Sequence, residues 1–122
     1  MKLLRYILLV TALGMMATQV RAEIIVNEMF QRFHSGTKMV HEFYLTILQG
    51  NHNGLEAANS YLASQKAAEI FCPPKGKPFS GEQIMEMLRL GVASDPDLGK
   101  RPVGFAILRV FQRTYPCPPQ SN

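Results

Sequence analysis

Cysteine is scarce in this chain of 122 residues, which contains only Cys72 and Cys117. The sequence has no C-x-x-C pair, and no histidine stands at metal-ligand spacing beside either cysteine. These absences argue against a metal site and against a redox-active cysteine pair. Two cysteines in an exported chain most simply form one disulfide. We therefore predict a disulfide between Cys72 and Cys117, with no metal and no other cofactor.

The chain also lacks a hydrophobic run long enough to cross a membrane. Its longest apolar run spans residues 6 to 17, and about 12 residues fall short of the roughly 20 that a membrane-spanning helix needs. Two basic residues precede this run, and the small-residue site Val20-Arg21-Ala22 follows it, an order that is typical of a cleavable secretory signal peptide. The sequence predicts a signal peptide at 1–22, a single mature domain at 23–122, and no membrane attachment after cleavage.

A strong excess of one charge is absent from the mature part. The first 22 residues carry three of the 13 basic residues and none of the nine acidic ones, so ten basic residues stand against nine acidic ones and the mature charge is +1. This balance argues against the strongly basic face of a nucleic-acid-binding protein, and we predict no nucleic acid partner. About 100 residues are enough for one hydrophobic core and too few for two.

Sustained period-two alternation between hairpin turns is missing as well, which makes a sheet improbable. Apolar residues at helical spacing instead predict helices near residues 37–48, 55–71, 80–93 and 102–115. A further segment, 24–33, has helical spacing but begins with β-branched residues, so its state stays open. The predicted fold is all-α, a small bundle of four to five helices closed by one disulfide.

Local signals predict where these helices begin and end. The cluster Gly50-Asn51-His52-Asn53-Gly54 predicts a tight polar loop between the first two helices. Pro73-Pro74 is expected to stop the second helix just after Cys72. Ser80 and Gln83 form the S-x-x-Q pattern of a capping box at the start of the third.

Motifs that carry catalysis are also lacking. The sequence contains no H-E-x-x-H, no G-x-S-x-G and no glycine-rich phosphate loop, and a disulfide would remove both thiols. We interpret His34, His41 and His52 as solvated or loop residues. The four methionines that follow the signal peptide are interpreted as core residues rather than soft-metal ligands. We predict that the protein is not an enzyme.

Five segments between residues 55 and 118, roughly two thirds of the mature chain, carry a further signal. They are Tyr61-Leu62-Ala63, Ile70-Phe71-Cys72-Pro73-Pro74-Lys75-Gly76, Gln83, Asp95-Pro96-Asp97-Leu98 and Tyr115-Pro116-Cys117. Together they resemble the Rap/Tai family of type VI secretion amidase immunity proteins. The F-C-P-P and Y-P-C elements are the strongest part of the resemblance.

The resemblance implies an exported helical domain, held by a disulfide, that acts in the periplasm. Its partner would be a cognate peptidoglycan amidase effector, which a type VI secretion system delivers and which this protein would bind and inhibit. Two other functions stay open, a periplasmic acid-stress chaperone and a subunit of an envelope complex. The residues also leave open whether the protein is a homodimer.

Two loops stiffened by proline are the candidates for partner contact. The first consists of Pro73, Pro74, Lys75, Gly76, Lys77 and Pro78. The second spans residues 94–102. A rigid loop loses little conformational entropy when it enters a pocket, which favours a role in binding. The alternative is that both loops merely reverse the direction of the chain.

Overall fold

The computed structural model describes residues 23–119, so the predicted signal peptide at 1–22 lies outside the described part. The described residues form four α-helices: α1 (Val26–Ser35), α2 (Lys38–Ser64), α3 (Gly81–Ser94) and α4 (Val103–Thr114), with one 3₁₀ helix, η1 (Pro96–Lys100), between α3 and α4. No strand forms within 23–119, where the one extended pairing is an isolated bridge from Ile25 to Pro102. The predicted all-α bundle is confirmed.

The segment 24–33, whose state the sequence left open, is helical from Val26 onward and forms α1. Ile25 remains extended, and the amide of Val103 donates to the carbonyl of Ile24 at 2.9 Å. Val26 and Met29 then bury their side chains completely. The β-branched residues therefore lead into the helix and attach it to the start of α4.

The predicted polar loop at residues 50–54 is wrong, because α2 continues through it without a break. Gly50 and Gly54 lie on the exposed side of the helix, where an added Cβ would meet no atom within 4 Å. Each glycine costs a helix about 1 kcal/mol relative to alanine. Leu48 and His52 are buried on the opposite side of the helix. Burial of one large apolar side chain stabilises the fold by about 1.5–3 kcal/mol, which offsets the cost of a glycine.

The second predicted helix ends earlier than residue 71. α2 stops at Ser64, and Lys66 adopts a left-handed backbone with φ of 56°. The amide of Lys66 donates to Ala63, and the next amide donates to Leu62, which is the Schellman arrangement that closes a helix. Pro73-Pro74 predicted that the helix would end just after Cys72. Cys72 instead lies in a loop that follows α2.

The third and fourth predicted helices are confirmed. Ser80 Oγ accepts from the Gln83 amide at 3.2 Å, and Gln83 Oε1 accepts from the Ser80 amide at 2.9 Å, so the capping box is complete. The apolar stripe that the sequence predicts for α4 is buried along its whole length. It comprises Val103, Ala106, Ile107, Val110 and Phe111.

The predicted disulfide joins Cys72 to Cys117, across a sequence separation of 45 residues. It ties the loop that follows α2 to the segment that follows α4. Beside it, the amide of Cys72 donates to the carbonyl of Tyr115 at 2.8 Å. Within residues 23–119, no helix is both long enough and apolar enough to span a membrane.

We expect the double variant Cys72→Ala/Cys117→Ala to lose about 4 kcal/mol of the free energy of unfolding, because opening a loop of this length restores chain entropy to the unfolded state. Urea unfolding monitored by circular dichroism measures the loss. A reducing agent should destabilise the native chain by a similar amount and leave the variant unchanged. Equal stability of variant and native chain would contradict a stabilising role for the bridge.

Candidate binding site at the proline loop

The first loop predicted to contact a partner, residues 73–78, lies on the surface between two buried aromatic residues. We call it the proline loop. Phe71 on its N-terminal side is fully buried and Phe79 on its C-terminal side is almost so. Pro73 is half-buried, while residues 74–78 are exposed. The segment thus leaves the core at Phe71 and returns to it at Phe79.

A buried asparagine of α2 fixes the N-terminal approach to the loop. Asn59 Nδ2 donates to the carbonyl of Phe71 at 2.6 Å, and Asn59 Oδ1 accepts from the amide of Ile70 at 2.6 Å. The side chain therefore satisfies one donor and one acceptor of a backbone segment that belongs to no helix. Since unpaired buried backbone groups are costly, this double hydrogen bond sets the path of the chain before Cys72.

Both ends of the loop are anchored on one ring, that of Phe111 in α4. The ring centroid of Phe111 lies 5.4 Å from that of Phe71 and 5.1 Å from that of Phe79. His52 and Tyr115 complete this group, at 4.6 Å and 5.9 Å from the same ring. We refer to these five residues as the Phe111 cluster. Tilted and edge-on aromatic pairs at these distances add favourable energy to that of burial.

Inside the proline loop, the chain turns at Gly76, whose φ of 75° is a conformation that other residues seldom adopt. Lys75 and Lys77 flank the turn and are exposed. Within residues 23–119, neither lysine forms a salt bridge. The loop therefore presents two charges that no acid of the same domain neutralises.

A groove of about 690 Å³ runs beneath the proline loop. One wall is the loop itself, and the other comes from α2, from the segment before Cys72 and from Pro118. Glu56 and Glu69 contribute carboxylates to that second wall, and Ser60 contributes a hydroxyl. The site is polar, open and built around an exposed backbone. Such a surface is suited to contact another macromolecule rather than to enclose a small ligand.

The second predicted loop, residues 94–102, is largely the 3₁₀ helix η1. Two ion pairs hold its acids: Arg113 Nη2 lies 2.6 Å from Asp95 Oδ2, and Lys100 Nζ lies 2.9 Å from Asp97 Oδ1. The hydrogen bond from Lys100 lowers the pKa of Asp97 below its ordinary value. The structure does not bring this loop to the proline loop, since the two line different cavities.

The interpretation of the histidines is wrong for His52 and incomplete for His41. His52 lies within α2 and is only 1% exposed, and neither of its ring nitrogens has a hydrogen-bond partner in the described chain. Its closest acid is Glu56, with Nε2 3.7 Å from Oε1. His41 is half-buried and stacks on Phe33 with ring centroids 4.3 Å apart. His34 alone is exposed, as expected.

Sequence reasoning missed Asn59 and His52, although a signal for both was present. They continue the spacing of Tyr44 and Leu48 along one side of α2, at intervals of four and seven residues. A polar residue on an apolar helical stripe is a candidate for a buried hydrogen bond or for a functional group. The predicted loop at 50–54 interrupted that stripe and concealed the pattern.

Comparison with known proteins identified no relative of this chain. The chain matches no protein-family model, no curated protein and no solved structure. Nor do residues 23–119 contain a group of three or more histidine, cysteine or acidic side chains that is placed to hold a metal ion. The properties of the site therefore follow from its own residues.

We expect Asn59→Leu to lower the free energy of unfolding by about 2–4 kcal/mol, because the Ile70 amide and the Phe71 carbonyl both lose their partner. Urea unfolding measures this loss, and hydrogen exchange at the Ile70 amide should accelerate. Asn53→Leu is the matched control, since Asn53 is an exposed asparagine of the same helix, and it should change stability by less than about 0.5 kcal/mol. Slow exchange at Ile70 in Asn59→Leu would contradict the assigned hydrogen bonds.

We expect His52→Leu to be at least as stable as the native chain, because leucine has a similar size and removes two unpaired nitrogen atoms from the Phe111 cluster. His52→Ala should instead lose about 2 kcal/mol or more, since it leaves a cavity. Thermal and urea unfolding compare the two variants. If His52→Leu is as unstable as His52→Ala, the histidine has polar partners in solution, with Glu56 the first to test.

Proposed function

We propose that the chain is a periplasmic immunity protein that binds and inhibits a peptidoglycan amidase effector of a type VI secretion system. In this proposal the proline loop contacts the amidase, and the chain has no catalytic role of its own. The observation that carries the proposal is an exposed, charged loop whose two ends are anchored on one buried ring. Phe71 and Phe79 supply those anchors on Phe111.

Anchoring of this kind favours inhibition because it reduces the entropy lost on binding. The disulfide and the Asn59 hydrogen bonds hold one side of the loop, and three prolines restrict its backbone. A preorganised segment keeps more of its contact energy as affinity than a flexible one does. Lys75 and Lys77 add charge that accelerates encounter with an acidic cleft.

The resemblance to the Rap/Tai family supports the same proposal. Its two strongest elements, F-C-P-P at residues 71–74 and Y-P-C at residues 115–117, are far apart in sequence and are joined by the disulfide. The backbone hydrogen bond from Cys72 to Tyr115 links them a second time. One site thus contains the two strongest of the five segments on which the resemblance rests.

The predicted signal peptide and the disulfide support the periplasmic location. Disulfides persist in oxidising compartments such as the bacterial periplasm, whereas cytosolic thiols are normally kept reduced. An amidase that cleaves peptidoglycan meets its substrate in that compartment, so an inhibitor must be present there.

An acid-stress chaperone is the second candidate, and the burial of His52 favours it. The ring lies beside Phe79 and Phe111, is 1% exposed, and has no hydrogen-bond partner for either nitrogen within residues 23–119. An unsatisfied polar group weakens the packing around it, so the Phe111 cluster is the place where apolar surface would become exposed. Suppression of client aggregation at acid pH tests this candidate. Strong suppression together with no inhibition of any type VI amidase would favour the chaperone.

The experiment for the first candidate measures inhibition of a type VI peptidoglycan amidase encoded beside this chain by the mature domain. We expect Lys75→Glu/Lys77→Glu to weaken inhibition several-fold, mainly through slower association at low salt. Its melting temperature should change by no more than about two degrees, since neither lysine is buried or paired.

Arg32→Glu/Lys38→Glu is the control for that variant, because it changes the net charge equally at exposed residues outside the loop. It should inhibit like the native chain. Equal inhibition by the Lys75/Lys77 variant would exclude the proline loop as the contact and leave the second loop, residues 94–102, as the next surface to test. No inhibition by the native chain would reject the immunity function for that amidase.

A further inference from the structure

A second groove lies between η1 and the outer side of α4, and the amidase contact proposed at the proline loop does not use it. Its volume is about 530 Å³, and we call it the arginine groove. Leu98 and Leu108 provide buried or half-buried apolar side chains, and Phe105 contributes a ring that is 46% exposed. Arg101, Arg109 and Arg113 line the same cavity.

The arginine groove has more positive charge than its own acids neutralise. Its two acids are Asp95, which pairs with Arg113 at 2.6 Å, and Asp97, which pairs with Lys100 at 2.9 Å. Arg101 and Arg109 form no salt bridge within residues 23–119. Two guanidinium groups therefore line the groove without a salt bridge, although the charge of Arg101, after that of Lys100, helps to lower the pKa of Asp97.

These two arginines stand next to exposed apolar surface. The guanidinium of Arg101 lies over the Phe105 ring, 5.7 Å from its centroid, which holds its plane beside the groove. Arg109 Nη1 donates to the neutral Gln112 Oε1 at 3.1 Å and retains its other donors. Arginine and aromatic residues are the types that protein interfaces favour, and arginine binds carboxylates with two parallel hydrogen bonds.

We propose that the arginine groove binds an acidic segment of a partner protein in which a carboxylate stands beside an apolar side chain. The carboxylate pairs with Arg101 and Arg109, and the apolar side chain covers Phe105 and Leu108. Charge complementarity selects this occupant, because both acids of the groove are already in salt bridges, whereas Arg101 and Arg109 form none within residues 23–119. The groove offers two cations without a salt bridge beside apolar side chains. A nucleic acid carries a long series of repeated charges and would require more cations than these, so a protein segment fits the groove better.

The proposal does not depend on the immunity function, so it can be tested with a defined probe. The probe is a soluble peptide of repeated Leu-Glu-Glu units, titrated into the ¹⁵N-labelled mature chain. We expect saturable binding, with chemical-shift changes concentrated in residues 95–113. Absence of saturable binding at millimolar peptide, or changes centred on another surface, would overturn the proposal.

Variants of the groove separate charge from apolar contact. Arg101→Glu/Arg109→Glu should weaken binding at least about tenfold, since two charge-assisted contacts become repulsive. Arg101→Lys/Arg109→Lys should recover part of the affinity, because lysine keeps the charge and loses the forked geometry. The control Arg32→Glu/Lys38→Glu should bind like the native chain, and equal binding by the groove variant would overturn the assignment.

Phe105→Ser tests the apolar part, after circular dichroism has verified that the variant is folded. It should weaken binding of the Leu-Glu-Glu peptide several-fold and leave a matched Gly-Glu-Glu peptide unaffected. Equal affinity of the native chain for the two peptides would mean that only charge is recognised, which contradicts the proposal. Binding to vesicles of anionic phospholipid that requires Arg101 and Arg109, without any peptide binding, would overturn it in favour of a membrane surface.

Discussion

Phe71 and Phe79 pack on the same side chain, Phe111, and this shared contact is the constraint on which the rest of the site depends. The chain leaves the core at Phe71 and returns to it at Phe79. Because both rings pack on Phe111, the distance that the proline loop spans is fixed. The disulfide then adds a covalent link next to the first of these points. A change that moves Phe111 would displace both ends of the loop together.

Part of this architecture follows from local sequence. The capping box at Ser80 and the apolar stripe of α4 depend on residues three to eight positions apart, and such short-range patterns are the ones that helical periodicity and capping rules describe. The disulfide was predicted from the presence of two cysteines in a chain that carries a predicted signal peptide. The exposure of residues 74–78 was also expected, since a loop rich in proline and lysine has little to bury.

The errors arose where tertiary packing outweighs local preference. Gly50 and Gly54 predict a loop when read alone, yet the helix continues because its other side is buried against α4. Helical spacing within the predicted helix 37–48 groups Phe43 with Tyr44 and Leu48, yet Phe43 is 56% exposed. It precedes Tyr44 in the sequence, and the single-residue difference rotates it by 100° away from the buried side.

Interactions between residues that are distant in sequence explain the remaining wrong predictions. α2 ends seven residues before Phe71 because Asn59 binds the returning backbone at residues 70 and 71, and no propensity scale includes an interaction across eleven residues. The Phe111 cluster draws members from α2, α4 and both flanks of the loop. Its composition is a property of the folded chain, and His52 was consequently assigned to solvent.

The residues that anchor the proline loop are separate from the loop itself, and this has a consequence for which substitutions the protein can accept. The groups that stabilise this region are Asn59, the disulfide, Phe71 and Phe79, and none of them belongs to residues 73–78. The five exposed positions, 74–78, can therefore be exchanged with little effect on the core, provided that the new segment spans the same two points and turns where Gly76 now turns. If the proline loop contacts the partner as proposed, recognition and stability are encoded by different residues, and new specificities can be selected, or grafted, on an unchanged scaffold.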